Sequence, residues 1–298
     1  MTSASQVAFR LAYHAAWALG LPIGGLRPRR IYDWLGRRAY PQAVWRWHRN
    51  RWGHELRLSP SFHIDRNILL FGTYDLVLHL ALERLIRPGM VCMDVGANLG
   101  EMALHMAGRV GPSGRVYAFE PVPSVMDRLR LHAERNQVQA ILEPVPLALS
   151  DRCGEEEIAF AGADADNQGL ASLVQGGRPE TSHHQIIPTS TLDEFVSSRG
   201  IERLDLIKVD IQGAEMRFLA GAEQTLRRYG PELLIEISPD DLAGAGANSR
   251  DLCLRIESLG YRIHRVARDG TPGDRIDAAT VDPCFAATNV YCTRKPFG

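Results

Sequence analysis

Residues 91–121 constrain the fold more than any other part of the chain. In order, they form an apolar run (91–95), a small-residue turn (96–100), a segment suited to a helix (101–110) and a second apolar run (115–119) that ends at Glu120. A strand, a glycine turn, a helix and a second strand form the first unit of a parallel α/β sheet. Such a unit places a nucleotide pocket at the carboxyl ends of its strands.

The glycine turn distinguishes between two kinds of cofactor. A dinucleotide fingerprint requires Gly-x-Gly-x-x-Gly, and its second glycine is Asn98 in this chain. The Asn98 amide crowds a pyrophosphate but suits the amino and carboxylate groups of a methionine. Asp94 adds a negative charge where a cationic cofactor would lie, so S-adenosylmethionine is favoured over a nicotinamide. A tight turn that binds no ligand is the alternative.

Glu120 is a candidate ligand of the cofactor ribose. It lies 24 residues beyond Gly96, at the end of the second strand. A carboxylate at this point accepts hydrogen bonds from two neighbouring ribose hydroxyls. We expect Glu120 to occupy an exposed strand tip.

Four segments together resemble the FkbM family of class I S-adenosylmethionine-dependent methyltransferases. They are DVGANLG (94–100), FEP (119–121), STLD (190–193) and LIKVDIQGAE (206–215). The resemblance covers roughly residues 72–293 and implies O-methylation of a hydroxyl within a Rossmann-like α/β fold with a mostly parallel seven-stranded sheet. The resemblance also implies that the first two segments bind the cofactor. The predicted cofactor residues there are Asp94, Gly96, Ala97, Asn98, Gly100, Glu120 and Pro121. The chain departs from the family at Gln212, where an acid is usual.

Length and composition agree with one large α/β core and an attached segment. The chain has 298 residues, 45% of them hydrophobic. We therefore predict a mainly helical N-terminal extension (1–71) and a catalytic domain (72–298). The net charge of -1 argues against a nucleic-acid partner. The five cysteines lack the close spacing of a zinc site, so we predict no metal, and reduced thiols in a cytoplasmic protein.

The N-terminal segment differs in charge from the rest of the chain. Residues 1–57 contain ten arginines against two acids, and all five tryptophans. Arginine and tryptophan suit a boundary between water and an apolar phase. The segment could form helices packed on the catalytic domain, contact an anionic membrane surface at its periphery, or mediate partner binding or self-association. Residues 7–23 are a poor membrane span because Arg10, Gly20 and Pro22 interrupt them.

Two further segments are candidates for the adenine and acceptor sites. We predict a third strand at residues 145–149, after which Leu149 could pack on the adenine and Ser150 or Asp151 could hydrogen-bond it. An ordinary turn into a hairpin is the alternative. Residues 161–188 are rich in glycine and polar residues, which is typical of a lid or substrate loop. We expect the next strand to begin at Gln185, so that at most one of His183 and His184 faces the pocket, and a solvated loop position for both is the alternative.

Acids around the predicted strand 204–211 are candidates for the general base. Lys208 and Asp210 share one face of this strand, and Lys208 needs a partner among Asp94, Asp210 and Glu236 because an isolated buried charge is costly. We predict Lys208 as structural support and Asp210 as a pocket residue at the strand tip. Glu215 could serve as a base or as a helix cap.

These observations predict a methyltransferase that acts on a hydroxyl of a sugar, a polyketide, a related secondary metabolite or a glycan. A free hydroxyl is a weak nucleophile, so a base must take its proton. The candidates are Asp210 and Glu215, followed by His184. There are two alternatives. One is a nicotinamide oxidoreductase, and the other is a non-catalytic binding module recruited through its N-terminal segment.

Overall fold

A computed structural model describes residues 44–161, 182–285 and 287–295 of the chain. Its contacts divide the described residues into two compact units, the first made of residues 44–75 and the second of residues 76–161, 182–285 and 287–295.

The first unit contains a hairpin followed by a helix. Strands β1 (Arg46–Arg49) and β2 (Glu55–Leu58) pair in antiparallel fashion. Helix α1 (His63–Phe71) follows and ends at Gly72, whose left-handed backbone (φ 82°) terminates it. The predicted mainly helical extension therefore also contains a hairpin. Polar and apolar residues alternate along β2, which is the period of a strand with one buried face.

The second unit is built on an eight-stranded sheet with helices between its strands. In chain order its elements are α2 (Leu76–Leu85), β3 (Val91–Val95), α3 (Glu101–Val110), β4 (Arg115–Phe119), α4 (Pro123–Arg135), β5 (Leu142–Val145), β6 (Ala148–Leu149), β7 (Gly154–Ala161), β8 (Ser182–Ser190), α5 (Leu192–Ser198), β9 (Leu206–Val209), α6 (Glu215–Gly221), α7 (Glu223–Tyr229), β10 (Glu232–Ile237), α8 (Pro239–Gly244), α9 (Ser249–Ser258), β11 (Arg262–Val266), β12 (Pro272–Ile276) and β13 (Ala287–Thr293).

The order of the main sheet confirms the predicted α/β class. It runs β12-β11-β13-β10-β9-β3-β4-β5. Strands β5, β4, β3, β9 and β10 pair in parallel, and β13 is antiparallel to both of its neighbours. The resemblance implies seven strands, and the observed sheet has eight, with β12 at one edge.

The strand order places a crevice at the ends of β3 and β9. From β3 the chain proceeds outward through β4 to β5, and it later returns to the other side of β3 through β9 to β10. Loops that leave two adjacent parallel strands in opposite directions open a ligand-binding crevice between them. The glycine turn follows β3, and Asp210 follows β9.

The third strand leaves the main sheet earlier than predicted. Strand β5 ends at Val145, whereas β6 belongs to a separate three-stranded sheet of order β6-β8-β7. Pro146 lies between them and has no N–H group to continue a strand ladder. The N–H of Leu147 instead donates to the carbonyl of Val145 (2.9 Å). The prediction of one strand over 145–149 was therefore wrong.

The smaller sheet contains the hairpin that the sequence left as an alternative. Strands β7 and β8 pair in antiparallel fashion, with Gly154 opposite Thr189. Strand β8 begins at Ser182 rather than Gln185, so residues 182–188 are strand rather than loop. The rest of the predicted lid, residues 162–181, lies outside the described residues.

Candidate active site

The turn after β3 packs tightly against the end of β9. Gly96 (φ 77°), Asn98 (φ 51°) and Gly100 (φ 90°) all have left-handed backbone conformations. A Cβ added to Gly96 would lie 1.9 Å from the backbone oxygen of Asp210, so only glycine permits this approach. Asparagine tolerates the left-handed region better than most residues. The predicted cofactor turn and Asp210 therefore lie at one site.

The backbone N–H groups of this turn are all used within the protein. Gly96 and Ala97 donate to the carbonyl of Phe119 (3.1 and 2.9 Å), Asn98 to Glu120 Oε2 (3.1 Å), Leu99 to Asn98 Oδ1 (2.7 Å) and Gly100 to the carbonyl of Ala97 (2.9 Å). A pyrophosphate site needs N–H groups that point at the phosphate oxygens. The turn does not offer them, which disfavours a dinucleotide.

The carboxylate of Glu120 braces the turn from the neighbouring strand. Oε2 accepts the N–H of Asn98 (3.1 Å), and Oε1 accepts the N–H of Val122 (2.9 Å). Glu120 is only 7% exposed, so the predicted exposed strand tip was wrong: two backbone segments fold onto its carboxylate. Burial raises the pKa of Glu120 to about 7, against the effect of both N–H donors. Each oxygen keeps a lone pair for a ribose hydroxyl. Pro121 follows, half-buried.

The predicted adenine residues lie at the start of the smaller sheet. Leu149 is buried in the core, and Ser150 is fully buried, with its carbonyl 2.0 Å from where a Cβ on Gly221 would lie. The Ser150 hydroxyl donates to Asp151 Oδ1 (3.1 Å), which also accepts from Arg217 (2.7 Å). These are the contacts of a packed turn, and an adenine role for the three residues stays a prediction.

Lys208 is a buried cation that joins the turn to the acids. Its ammonium lies 3.0 Å from Asp94 Oδ1 and 3.6 Å from Asp210 Oδ2, and it donates to the carbonyl of Gly96 (2.9 Å). Burial alone would lower the pKa of Lys208, but Asp94 and Asp210 raise it above its ordinary value. The sequence predicts the partners and the supporting role. It does not reveal the bond to Gly96, because that contact depends on how the loops meet.

Asp210 is more accessible than Asp94, the other acid beside Lys208. Its side chain is 30% exposed, whereas that of Asp94 is 0% exposed. Burial, followed by the charge of Asp210, raises the pKa of Glu236, in β10, to about 10. The sequence carries no local signal for this shift in the pKa of Glu236.

Glu215 begins α6 and folds back on the loop before it. Its Oε2 accepts the N–H of Gly213 (3.0 Å), and its Oε1 lies 3.4 Å from the donating N–H of Ile211. Burial raises the pKa of Glu215 to about 7, while these backbone donors act in the opposite direction. These contacts hold the loop before α6, and the helix has no side-chain cap hydrogen bond, so the cap that the sequence offers as one alternative stays a prediction. A role for Glu215 as a base stays a prediction.

His184 is placed on the smaller sheet. Its Nδ1 lies 3.5 Å from Glu157 Oε1 on the paired strand, and its side chain is 59% exposed. A catalytic role for His184 stays a prediction. Across residues 44–161, 182–285 and 287–295, no three histidine, cysteine or acidic side chains are grouped as metal ligands.

Comparison with known proteins gives matches to methyltransferases. The Methyltransferase FkbM domain matches residues 94–263. AMB antimetabolite synthetase AmbE of Pseudomonas aeruginosa is 29% identical over 67% of this chain, which spans only 11% of that protein. The 2-O-methyltransferase NoeI of Sinorhizobium fredii is 28% identical over 52% of this chain and 67% of its own. The 31-O-demethyl-FK506 methyltransferase FkbM of Streptomyces tacrolimicus is 30% identical over 69% of this chain and 80% of its own.

Proposed function

The chain belongs to the FkbM family of methyltransferases, and we propose that it transfers a methyl group to a hydroxyl oxygen of a sugar, a polyketide or a related metabolite or glycan. Its cofactor is S-adenosylmethionine. By name, one relative is a 2-O-methyltransferase and another acts on 31-O-demethyl-FK506. Both names support oxygen as the methylated atom.

The observation that carries the proposal is the position of Asp210. Its backbone meets the cofactor turn at Gly96, and its partly exposed carboxylate follows the adjacent strand. A proton acceptor beside the cofactor turn is what a hydroxyl nucleophile requires, because the alcohol must lose its proton as it attacks.

The residues present fit a cationic adenosine cofactor. Asp94, Asp210 and Glu120 supply carboxylates around the turn, and the turn itself reserves no N–H for a phosphate. When bound, S-adenosylmethionine supplies a methyl group activated by its sulfonium sulfur. We assign the ribose hydroxyls to the carboxylate of Glu120. We assign the methionine end to the turn of residues 96–100, near Asp94.

The side chains around Asp210 prepare it to accept a proton. Lys208 lies beside Oδ2 of Asp210 (3.6 Å), which leaves the other oxygen for the acceptor hydroxyl. Lys208 holds Asp210 and the Gly96 carbonyl together, which fixes the base relative to the turn. A fixed arrangement of base, hydroxyl and methyl group accounts for much of the acceleration in an in-line displacement.

Transfer of labelled methyl groups tests the proposal. The purified chain is supplied with methyl-labelled S-adenosylmethionine and a small-molecule extract of its host cells. We expect one compound class to gain the label as a methyl ether, and cells that lack the gene to accumulate the compound without it. Cofactor binding with no labelled product in any extract would support the non-catalytic module instead.

A Glu120→Gln variant tests the ribose contact. Glutamine keeps the size of the side chain but removes the charge, and a hydrogen bond to a charged group is worth about 1.5–3 kcal/mol, so affinity for S-adenosylmethionine should fall at least about tenfold. In the native protein, protons compete with ribose hydroxyls for a carboxylate whose pKa is about 7. Affinity should therefore weaken as the pH falls through that value, and the variant should lack this component.

Calorimetry across this pH range provides the measurement for Glu120. The matched control is Glu134→Gln, an identical change at an exposed position of α4. An unchanged affinity in Glu120→Gln would remove this residue from the ribose site.

We also propose that the first unit contacts an anionic membrane surface. Trp45 and Trp47 flank the start of the β1–β2 hairpin and are 38% and 39% exposed, and the guanidinium of Arg57 lies 5.8 Å from the Trp45 ring centre. Tryptophan beside arginine suits the headgroup region of a bilayer. Among the described residues, no helix is long and apolar enough to span a membrane.

Vesicle binding tests the membrane proposal. Binding should rise with anionic lipid content and fall as salt is added, because salt screens exposed charges. Tryptophan fluorescence should shift to the blue, since all five tryptophans lie in residues 1–57. Protein that stays in solution at low salt, together with early melting of a chain without these residues, would favour the packed-segment alternative.

A further inference from the structure

Gln212 lies in a loop whose backbone is fixed by the Glu215 carboxylate and by close packing on α8. The N–H groups of its neighbours Ile211 and Gly213 donate to the Glu215 carboxylate (3.4 and 3.0 Å). A Cβ added to Gly213 would lie 2.5 Å from the backbone oxygen of Asp241, so the loop also packs closely on α8. These contacts fix the backbone on either side of Gln212.

The backbone of Gln212 is in a conformation that glutamine does not favour. Its φ is 49°, and the other non-glycine residues with positive φ in the described ranges are Asn98 and Gln137. Asn98 and Gln212 occupy the loops that follow the adjacent strands β3 and β9. Backbone strain of this kind concentrates where the surrounding structure uses it for binding or catalysis.

The side chain of Gln212 has an unsatisfied polar atom. Its Oε1 is buried and has no hydrogen-bond partner within the part of the chain that the structure describes. Buried polar atoms are nearly always hydrogen-bonded, so an exception needs an explanation. A hydroxyl group satisfies either orientation of a carboxamide, because it can donate to the oxygen or accept from the nitrogen.

We propose that Gln212 binds a second hydroxyl of the acceptor, next to the hydroxyl that Asp210 deprotonates, so that the acceptor is a polyhydroxylated molecule. This inference rests on the proposed methyl transfer. Asp210 and Gln212 are two residues apart in the loop that follows β9. Their carboxylate and carboxamide can therefore bind neighbouring hydroxyls of one acceptor. A buried group that hydrogen-bonds a substrate hydroxyl discriminates strongly against molecules that lack it.

A Gln212→Gly variant separates acceptor binding from stability. Glycine adopts φ 49° without strain, so the melting temperature should stay the same or rise. Loss of the carboxamide should raise the apparent KM for the acceptor about tenfold or more. The acceptor is supplied as a dilution series of the host-cell extract with methyl-labelled S-adenosylmethionine. The KM for the cofactor should change little.

Gln137→Gly is the matched control. Gln137 also has a left-handed backbone (φ 57°), but it follows α4 at an exposed position. The same substitution should give the same stabilisation there, with an unchanged apparent KM for the acceptor. A purely structural role for Gln212 would make the two variants alike.

The labelled product provides an independent readout. Fragmentation in a mass spectrometer should locate a free hydroxyl on the carbon next to the new methyl ether. A product without that hydroxyl, or an acceptor KM within about twofold of the native value in Gln212→Gly, would overturn the inference. If the native chain labels nothing, the proposed function fails as well. If the native chain is active and Gln212→Gly keeps the native acceptor KM, the role of Gln212 alone fails.

Discussion

Replacing Asp210 by asparagine should lower kcat by about a hundredfold or more, while affinity for S-adenosylmethionine stays within a few fold. Asparagine keeps the shape of the side chain and an oxygen that can accept a hydrogen bond, but it cannot take a proton. The backbone N–H of residue 210 should still donate to the carbonyl of Val95 (3.1 Å), so the strand end is preserved. The substitution therefore removes the basicity of residue 210 while it preserves the packing.

Single-turnover transfer of labelled methyl groups, together with calorimetry of cofactor binding, measures the two effects of Asp210→Asn separately. The matched control is Asp240→Asn, the same change at an exposed position in the first turn of α8, which should leave both quantities unchanged. If cofactor affinity collapses in Asp210→Asn, the residue belongs to the methionine pocket. The base must then be another group.

The main sheet and the cofactor turn were predictable because their signals are local. Strands Val91–Val95 and Leu206–Val209 are short apolar runs, as expected of parallel strands buried on both faces. The glycines of the turn mark where the backbone needs a left-handed conformation. The sequence therefore sufficed to place Asp94 and Asp210 at the ends of neighbouring strands.

The errors arose where the outcome depends on distant parts of the chain. Glu120 is buried and accepts the backbone N–H groups of Asn98 and Val122, which no feature of its own strand indicates. The end of β5 did have a local signal, since Pro146 cannot continue a ladder, but the prediction extended the strand through it. The raised pKa of Glu236 reflects its burial and the charge of Asp210 at the end of the adjacent strand.

Lys208 also depends on residues that are distant in sequence, because it contacts Asp94 and the Gly96 carbonyl. A Lys208→Met variant therefore tests how these contacts hold the site together. Replacing Lys208 by methionine should lower the free energy of unfolding by about 3–5 kcal/mol at neutral pH, because Asp94 would remain as a buried charge without its cation. The Gly96 carbonyl would also lose its donor, so cofactor affinity should fall with stability. The control is Lys295→Met, whose exposed ammonium should contribute at most about 1 kcal/mol.

The pH dependence of the free energy of unfolding of Lys208→Met tests whether the buried charge of Asp94 causes the loss of stability. Burial raises the pKa of Asp94, and the adjacent Lys208 cation opposes that shift. Without the cation, the folded-state pKa should lie still further above the unfolded value of about 3.9. A raised folded-state pKa gives stability that is present at low pH and is lost as the pH rises through it. Relative to the native chain, the variant should therefore recover stability on acidification.

Urea unfolding over a range of pH provides the measurement for Lys208→Met. Adding Asp94→Asn to the variant removes the buried charge, so the double variant should regain part of the lost stability at neutral pH and should lose the pH-dependent component. A single variant that loses the same stability at every pH would contradict this account. The loss would then come from the packing of the lysine stem and from its bond to Gly96, and Asp94 would be neutral in the native protein.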